Sequence, residues 1–282
     1  NAYNTAMGHF AGYAVTTGIS NVLIGGLAGD ALTDADQNVG VGKNAIGSDT
    51  LGSKTTAVGH GALAVQNFTT ATDTGNVAVG YHAGVAVTTG TNNVLIGTEA
   101  GDSITSGNTN VAVGTLALAT NQQGDRNTAV GYKALEDMNP SGNVDTYNTA
   151  VGFFAGTAVT TGVQNTLIGG LAGDALTDAD FNVAVGYAAL TADTLGSRSV
   201  AIGQSALGTQ NFTTATDVYN VGVGMNAGAA VTTGKENTLI GGLAGDALTD
   251  ADFNIAIGTY ALTSDTLGSR SVAIGRSALQ AQ

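Results

Sequence analysis

The sequence has no cysteine, no tryptophan and one proline in 282 residues. Without cysteine, no disulfide contributes to stability, and thiol usage says nothing about the redox compartment. Charge is also scarce. Only 10% of residues are Asp, Glu, Lys or Arg, and eight basic against 21 acidic residues leave a net charge of −13. That balance argues against binding a nucleic-acid backbone, which requires clustered Lys and Arg, and against electrostatic docking to anionic lipid. No run of about 18 apolar residues is present to span a bilayer. Aromatics make up 5% of the chain, so a core must come from Ala, Val, Ile and Leu. The chain begins at Asn1, without Met or a signal peptide, and is read as a mature segment or a fragment, with any export signal, anchor or cap outside it.

In place of these residues the chain has 43 glycines at fixed positions, unlike the scattered glycines of a flexible linker. A five-residue pattern recurs: Asn, two small or β-branched residues, an aliphatic, then Gly. It appears as Asn4-Thr5-Ala6-Met7-Gly8, as Asn76-Val77-Ala78-Val79-Gly80 and as Asn165-Thr166-Leu167-Ile168-Gly169. Successive copies start at 4, 21, 38, 55, 76, 93, 110, 127, 148, 165, 182, 199, 220, 237, 254 and 271, so the step series is 17, 17, 17, 21. Four coils form a superrepeat of 72 residues, giving the segments 4–75, 76–147, 148–219 and 220–282. A short fixed period is the signature of a solenoid, in which each unit packs on its neighbours. The expected fold is an all-β parallel β-solenoid of 16 coils, read as one domain over 1–282.

Counting each coil from its Asn as position 0, position 4 is always Gly, position 3 is Val, Ile or Met, and position 7 is always Ala. β-Branched residues at 1 and 3 around a small residue alternate as a strand requires, with 1 and 3 on one face and 2 on the other. The glycine ends the strand, and a second short strand is expected through the Ala. Position 8 is Gly in the first two coils of a superrepeat, where an aliphatic arrives at position 11 (Val15, Leu32, Val87, Ile104). In the last two coils it is Leu or Ile (Ile46, Leu63, Leu118, Leu135). Gly, Thr and Asn every few residues exclude helix. The few aliphatics per coil make a thin core. The small residues at position 2 (Ala6, Gly40, Ala78, Ala129, Ala201, Gly222) are expected to face a neighbouring chain, which favours an obligate oligomer. Sixteen coils at about 4.8 Å each imply a rod of roughly 75–80 Å.

The copies Ser199-Val200-Ala201-Ile202-Gly203 and Ser271-Val272-Ala273-Ile274-Gly275, with Asn76-Val77-Ala78-Val79-Gly80, resemble the head repeats of YadA-like trimeric autotransporter adhesins. Similar repeats occur in phage tail fibres. The resemblance touches every coil. It implies a left-handed parallel β-roll, three chains side by side, and an extracellular position on a cell or virion. The family's coils are shorter than the 17 and 21 residues here, which leaves a three-sided solenoid open as an alternative cross-section.

The fourth coil of each superrepeat carries a four-residue insertion, giving loops at 64–75, 136–147 and 208–219 that hold Phe68, Tyr147, Phe212, Tyr219 and the sole proline, Pro140. Loops on a rigid scaffold are where recognition usually sits. These four aromatics are therefore the candidate contacts to a surface glycan or protein. The competing reading makes them caps on the apolar interior or fillers of an interchain seam. Asp30, Asp34 and Asp36 recur as Asp174, Asp178 and Asp180 and as Asp246, Asp250 and Asp252. Such oxygens suit a weak Ca²⁺ site or, alternatively, solvated turns with Asx-type hydrogen bonds; the second superrepeat keeps only Asp102 of the three and has Asn108 in the third place. Thr-Thr-Gly at 16–18, 88–90, 160–162 and 232–234 raises ice binding, but only once in four coils. His9, His60 and His82 recur at no equivalent place of the 72-residue superrepeat and have no paired nucleophile, so no enzymatic activity and no cofactor are expected. The sequence points to a homotrimeric structural adhesion or fibre protein that contacts a surface receptor. A ligand-free filament or spacer is the main alternative, and an ice-binding solenoid a minor one.

Overall fold

The computed structural model describes residues 2–281. They divide into two compact units, Asn1–Thr146 and Tyr147–Gln282, at the edge between the second and third superrepeats. Together the units carry the expected parallel β-solenoid of about 16 turns, and no helix occurs among the described residues.

Each coil contributes one three-residue strand from positions 1 to 3. In the first unit these are Thr5–Met7, Val22–Ile24, Val39–Val41, Thr56–Val58, Val77–Val79, Val94–Ile96, Val111–Val113 and Thr128–Val130. In the second they are Thr149–Val151, Thr166–Ile168, Val183–Val185, Val200–Ile202, Val221–Val223, Thr238–Ile240, Ile255–Ile257 and Val272–Ile274. Pairing within each unit is parallel and in register, so that Ala6 lies on Leu23, Leu23 on Gly40 and Gly40 on Ala57. Every coil therefore repeats the same side chain directions.

The direction itself corrects the sequence expectation. Position 2 points into the solenoid: Leu23, Ala57, Ala78, Leu95, Ala129 and Ala201 are all buried. Positions 1 and 3 point outward, with Val79, Ile96, Ile168, Ile202 and Ile240 about 37–39% exposed. Position 2 is small for reasons of volume. Where it is Leu, position 8 is Gly: a Cβ on Gly173 would stand 2.8 Å from both Leu167 and Leu176. In the third and fourth coils position 2 is Ala or Gly and Leu or Ile at position 8 fills the space, as with Ala112 and Leu118 or Gly40 and Ile46, and both large residues are fully buried. In the first coils both positions are small, and a Cβ on Gly84 would meet Leu95 at 2.5 Å, Leu63 at 3.0 Å and Val87 at 3.2 Å. Close packing thus lets a coil carry at most one large residue at these two positions.

The second strand expected through the Ala does not form. Positions 5 to 10 make a turn in which positions 6 and 8 are left-handed, as at Leu27 (φ 60), Ile46 (φ 52), Leu171 (φ 57) and Leu190 (φ 54). That backbone cannot be a strand, yet it still bonds between coils: Gly29 N–H donates to Ala45 C=O at 2.9 Å, and Leu190 N–H to Ala206 C=O at 3.1 Å.

A buried asparagine ladder runs down position 0. Asn21 Oδ1 accepts the Asn38 N–H at 2.9 Å, and Asn21 Nδ2 donates to Ala35 C=O at 2.8 Å. In the second unit, Asn165 bonds Asn182 N–H and Ala179 C=O in the same way, at 3.0 and 2.7 Å. These amides satisfy backbone groups that the three-residue strands leave over inside the coil.

Candidate binding surfaces

Two surfaces stand out: the outward face of the strand ladder and the insertions of the fourth coils. The first follows from parallel register. Val or Ile at position 3, with Met7 in the first coil, and Val, Thr or Ile at position 1 recur on one side of eight stacked strands in each unit. At about 4.8 Å per coil and three residues of strand width, each unit presents an apolar area on the order of 400 Å². That is within the range of functional patches on protein surfaces.

The insertions are anchored more firmly than surface loops usually are. In each of the first three superrepeats a short parallel pair docks the insertion on the preceding coil: Gly52–Ser53 with Thr72–Asp73, Gly124–Asp125 with Val144–Asp145, and Gly196–Ser197 with Thr216–Asp217. A basic residue before the fourth strand closes each one, through Lys54–Asp73 at 2.5 Å, Arg126–Asp145, and Arg198–Asp217 at 2.9 Å. These pairs are exposed, so they position the loop more than they stabilise it.

Beneath two of the insertions lies a buried polar cluster. Asp193 Oδ1 accepts the Gly196 and Phe212 N–H groups, both at 3.0 Å, and Oδ2 accepts Gln210 Nε2 at 2.6 Å. Gln210 also donates to Ser199 Oγ at 2.9 Å, and its Oε1 accepts Asn220 Nδ2 at 2.8 Å. Asp49, Thr55, Gln66, Phe68 and Asn76 repeat the arrangement. Superrepeat two replaces the whole set: Asn121 stands for the Asp, Asn127 for the Ser or Thr, and buried Met138 for the Gln. Asn121 bonds both backbone groups of Gly124. In the fourth superrepeat Asp265 holds Gly268 N–H at 2.7 Å, and Gln282, at the place of Gln210, lies outside the described residues.

Burial raises the Asp193 carboxyl above its ordinary value, against the hydrogen bonds from Gln210, Phe212 and Gly196, which lower it. The folded state thus holds this proton more tightly than the unfolded chain. Its contribution to stability is present in acid and is lost as pH rises from the ordinary carboxylate range through the raised value. Asp193→Asn alone sets an amide N–H₂ against Gln210 Nε2, two donors face to face. It should cost about 1–3 kcal/mol at neutral pH. That single substitution also removes this group's pH dependence, and adding Gln210→Met and Ser199→Asn, the combination of superrepeat two, should recover most of the loss. Urea titrations at acid and neutral pH measure both effects.

The cluster decides where the candidate aromatics sit. Phe68 and Phe212 are 7% exposed, with their backbone N–H groups held by Asp49 and Asp193. The expectation that they stand exposed is therefore corrected: they close the interior under the insertion. Tyr147 and Tyr219 are at the surface, 48% and 52% exposed. Both occupy the residue just before position 0, which is left-handed in every coil. Phe181 and Phe253, 39% and 43% exposed, share that position and were not singled out from the sequence. The signal was available: they fall at the same place in the 17-residue coil, outside any insertion.

The Asp-rich turns are used by the stack itself. Asp34, Asp178 and Asp250 accept Thr17, Thr161 and Thr233 hydroxyls of the preceding coil at 2.5–2.6 Å. Asp36, Asp180 and Asp252 accept backbone N–H groups at 2.7–2.8 Å. Asn108 does the same for Thr91 N–H at 2.9 Å, so the role requires an acceptor and no charge. Among the described residues no group of three His, Asp or Glu side chains is arranged to hold a metal ion. The Thr-Thr-Gly hydroxyls are likewise engaged, Thr16 with Thr33 C=O and Thr17 with Asp34. His60 stacks with Tyr81 and His82 at the surface, and His9 packs edge-on to Phe10.

No protein-family model and no curated protein matches the chain.

Proposed function

We propose that the chain is a structural adhesion or fibre protein whose copies pack side by side through the apolar strand face as a homotrimer. The observation that carries this reading is the recurrence of Val or Ile at position 3 of every coil from the second to the last, beside Val, Ile or Thr at position 1. An exposed aliphatic ladder favours the strand in a monomer, and a neighbouring copy would in addition bury it. Each unit's ladder, on the order of 400 Å², is half the area a standard interface takes from each partner. The resemblance to YadA-like head repeats and to phage tail-fibre repeats supports three chains, an extracellular position on a cell or virion, and contact with a surface glycan or protein. The role is structural and not enzymatic. Burial of Phe68 and Phe212 favours one element of the second reading, a spacer without a receptor, because it removes two of the four candidate contacts.

The assembly reading is tested by Val79→Lys combined with Ile96→Lys. Both side chains point outward and are 37% and 38% exposed, so the coil should keep its strand spectrum while the assembled mass falls. An unchanged mass would remove the apolar face as the interface.

A further inference from the structure

The residue before position 0 forms a second longitudinal stripe, and in the second unit it is unlike anything else in the chain. It reads Tyr147, Gln164, Phe181, Arg198, Tyr219, Glu236, Phe253, Arg270. An aromatic therefore stands on every second coil, alternating with a side chain that can hydrogen-bond. The same stripe in the first unit reads Tyr3, Ser20, Gln37, Lys54, Gly75, Asn92, Thr109, Arg126, with one aromatic.

Each of these residues has the same left-handed backbone: Tyr147 φ 52, Phe181 φ 60, Tyr219 φ 56, Phe253 φ 60. Identical backbone in parallel register projects the side chains in one direction at one interval. Bulky residues are disfavoured in this conformation, and Gly75 shows what relieves it. Leu27, Ile46 and Leu171 take the same backbone as buried or half-buried parts of the coil, so what sets these four aromatics apart is that they stand exposed and in alternation. Neighbouring side chains order the rings. The Arg198 guanidinium lies 4.7 Å from the Phe181 ring and 5.9 Å from Tyr219, and Asp217 holds it at 2.9 Å. Arg270 lies 5.5 Å from Phe253.

We propose that this stripe binds an extended, uncharged β-1,4-linked polysaccharide along its length. The interval narrows the ligand to a polymer that repeats close to it. Two coils span roughly 9.6 Å, and a β-1,4-linked chain is a twofold ribbon that presents the same face of its sugars once per disaccharide, at a matching interval. Apolar sugar faces pack against the rings, while Gln164, Arg198, Glu236 and Arg270 meet the hydroxyls between them. Charge disfavours a polyanion: the second unit has ten acidic against four basic residues, and Arg198 is already paired with Asp217. A polyproline II peptide has a similar turn of about 9.3 Å. It docks into grooves between aromatic ridges, however, and no cavity opens among the described residues. Weak contacts repeated along one polymer add up through effective concentration.

The inference rests on the surface-binding part of the proposed function and is tested apart from assembly. Purified wild-type protein is sedimented with microcrystalline cellulose and with chitin, with an α-1,4-linked glucan gel as control, at low and high salt. Phe181→Gly combined with Phe253→Gly is run alongside, because it removes two rings while relieving the left-handed backbone and so keeps the fold. Wild type should be depleted by a β-1,4-linked polymer with little salt dependence, and the variant should bind at least tenfold more weakly at an unchanged melting temperature. Equal retention of the variant, equal retention on the α-linked gel, no retention of wild type, or binding of a proline-rich peptide through the same rings each overturns the proposal. Light scattering on the same sample separates the two readings. A monomer retained on cellulose upholds the glycan stripe and removes the assembly reading. An assembled protein that ignores the β-1,4 polymers does the reverse.

Discussion

Gly169→Ala is expected to destabilise the second unit by at least about 3 kcal/mol, a large effect for one methyl group on an exposed turn. Gly169 holds φ +133, and a Cβ there would sit 2.4 Å from the Gly186 carbonyl oxygen and 2.6 Å from its carbon. Both contacts are backbone, so no side chain can move aside. The clash recurs up the stack, with Gly152 against Gly169 and Gly186 against Gly203. This is why position 4 admits no other residue wherever a further coil stacks on it. Gly275 is the internal control. It holds φ +121 but has nothing within 4 Å of its Cβ position. Gly275→Ala should therefore show backbone strain alone, about 1–3 kcal/mol. Urea unfolding of the two variants measures the difference. Equal losses would mean that strain alone, without the stacking contact, excludes side chains from position 4.

The second large effect separates the two faces of the strand. Ala201→Glu should unfold the coil, because Ala201 is fully buried and its neighbours across the ladder are Ala184 and Gly222. An unpaired carboxylate in that interior has no donor within the stack, and the expected loss exceeds about 4 kcal/mol. Ile202→Glu, one residue later, points outward at 38% exposure and should cost within about 1 kcal/mol. It should lower the assembled mass without altering strand content. Circular dichroism together with light scattering distinguishes the pair. Loss of assembly without loss of fold in Ala201→Glu would restore the opposite assignment of faces.

That assignment was the part of the fold least legible in the sequence. The period, the strand at positions 1 to 3 and the glycine at position 4 follow from spacing and residue type alone. The inward face does not, because alternation defines two faces without saying which is buried, and Ala at position 2 fits either a crowded interior or a close interchain approach. The decisive clue was volume: Leu23 and Leu95 at position 2 accompany Gly29 and Gly101 at position 8, while Gly40 accompanies Ile46. Such exchange of bulk makes sense only inside one space. The left-handed turn was hidden for a related reason, since Leu and Ile occupy position 8 in half the coils and glycine alone does not mark it.

The insertions were legible as loops, but not the burial of their phenylalanines. Phe68 and Phe212 are drawn in by Asp49 and Asp193, residues from the preceding coil that carry no sign of burial in isolation. The sign lay in the joint replacement of Asp, Ser or Thr, and Gln by Asn121, Asn127 and Met138. Phe181 and Phe253 were missed because attention to insertions excluded a stripe defined only by coil position.

The most direct measurement is the solution mass of the wild-type protein at micromolar concentration, by sedimentation equilibrium, with strand content recorded on the same sample. Packing through the apolar strand face predicts a folded species of three times the 27.7 kDa chain mass, stable to dilution. A folded monomer would contradict it, because the Val and Ile ladders would then stand in water with nothing to cover them.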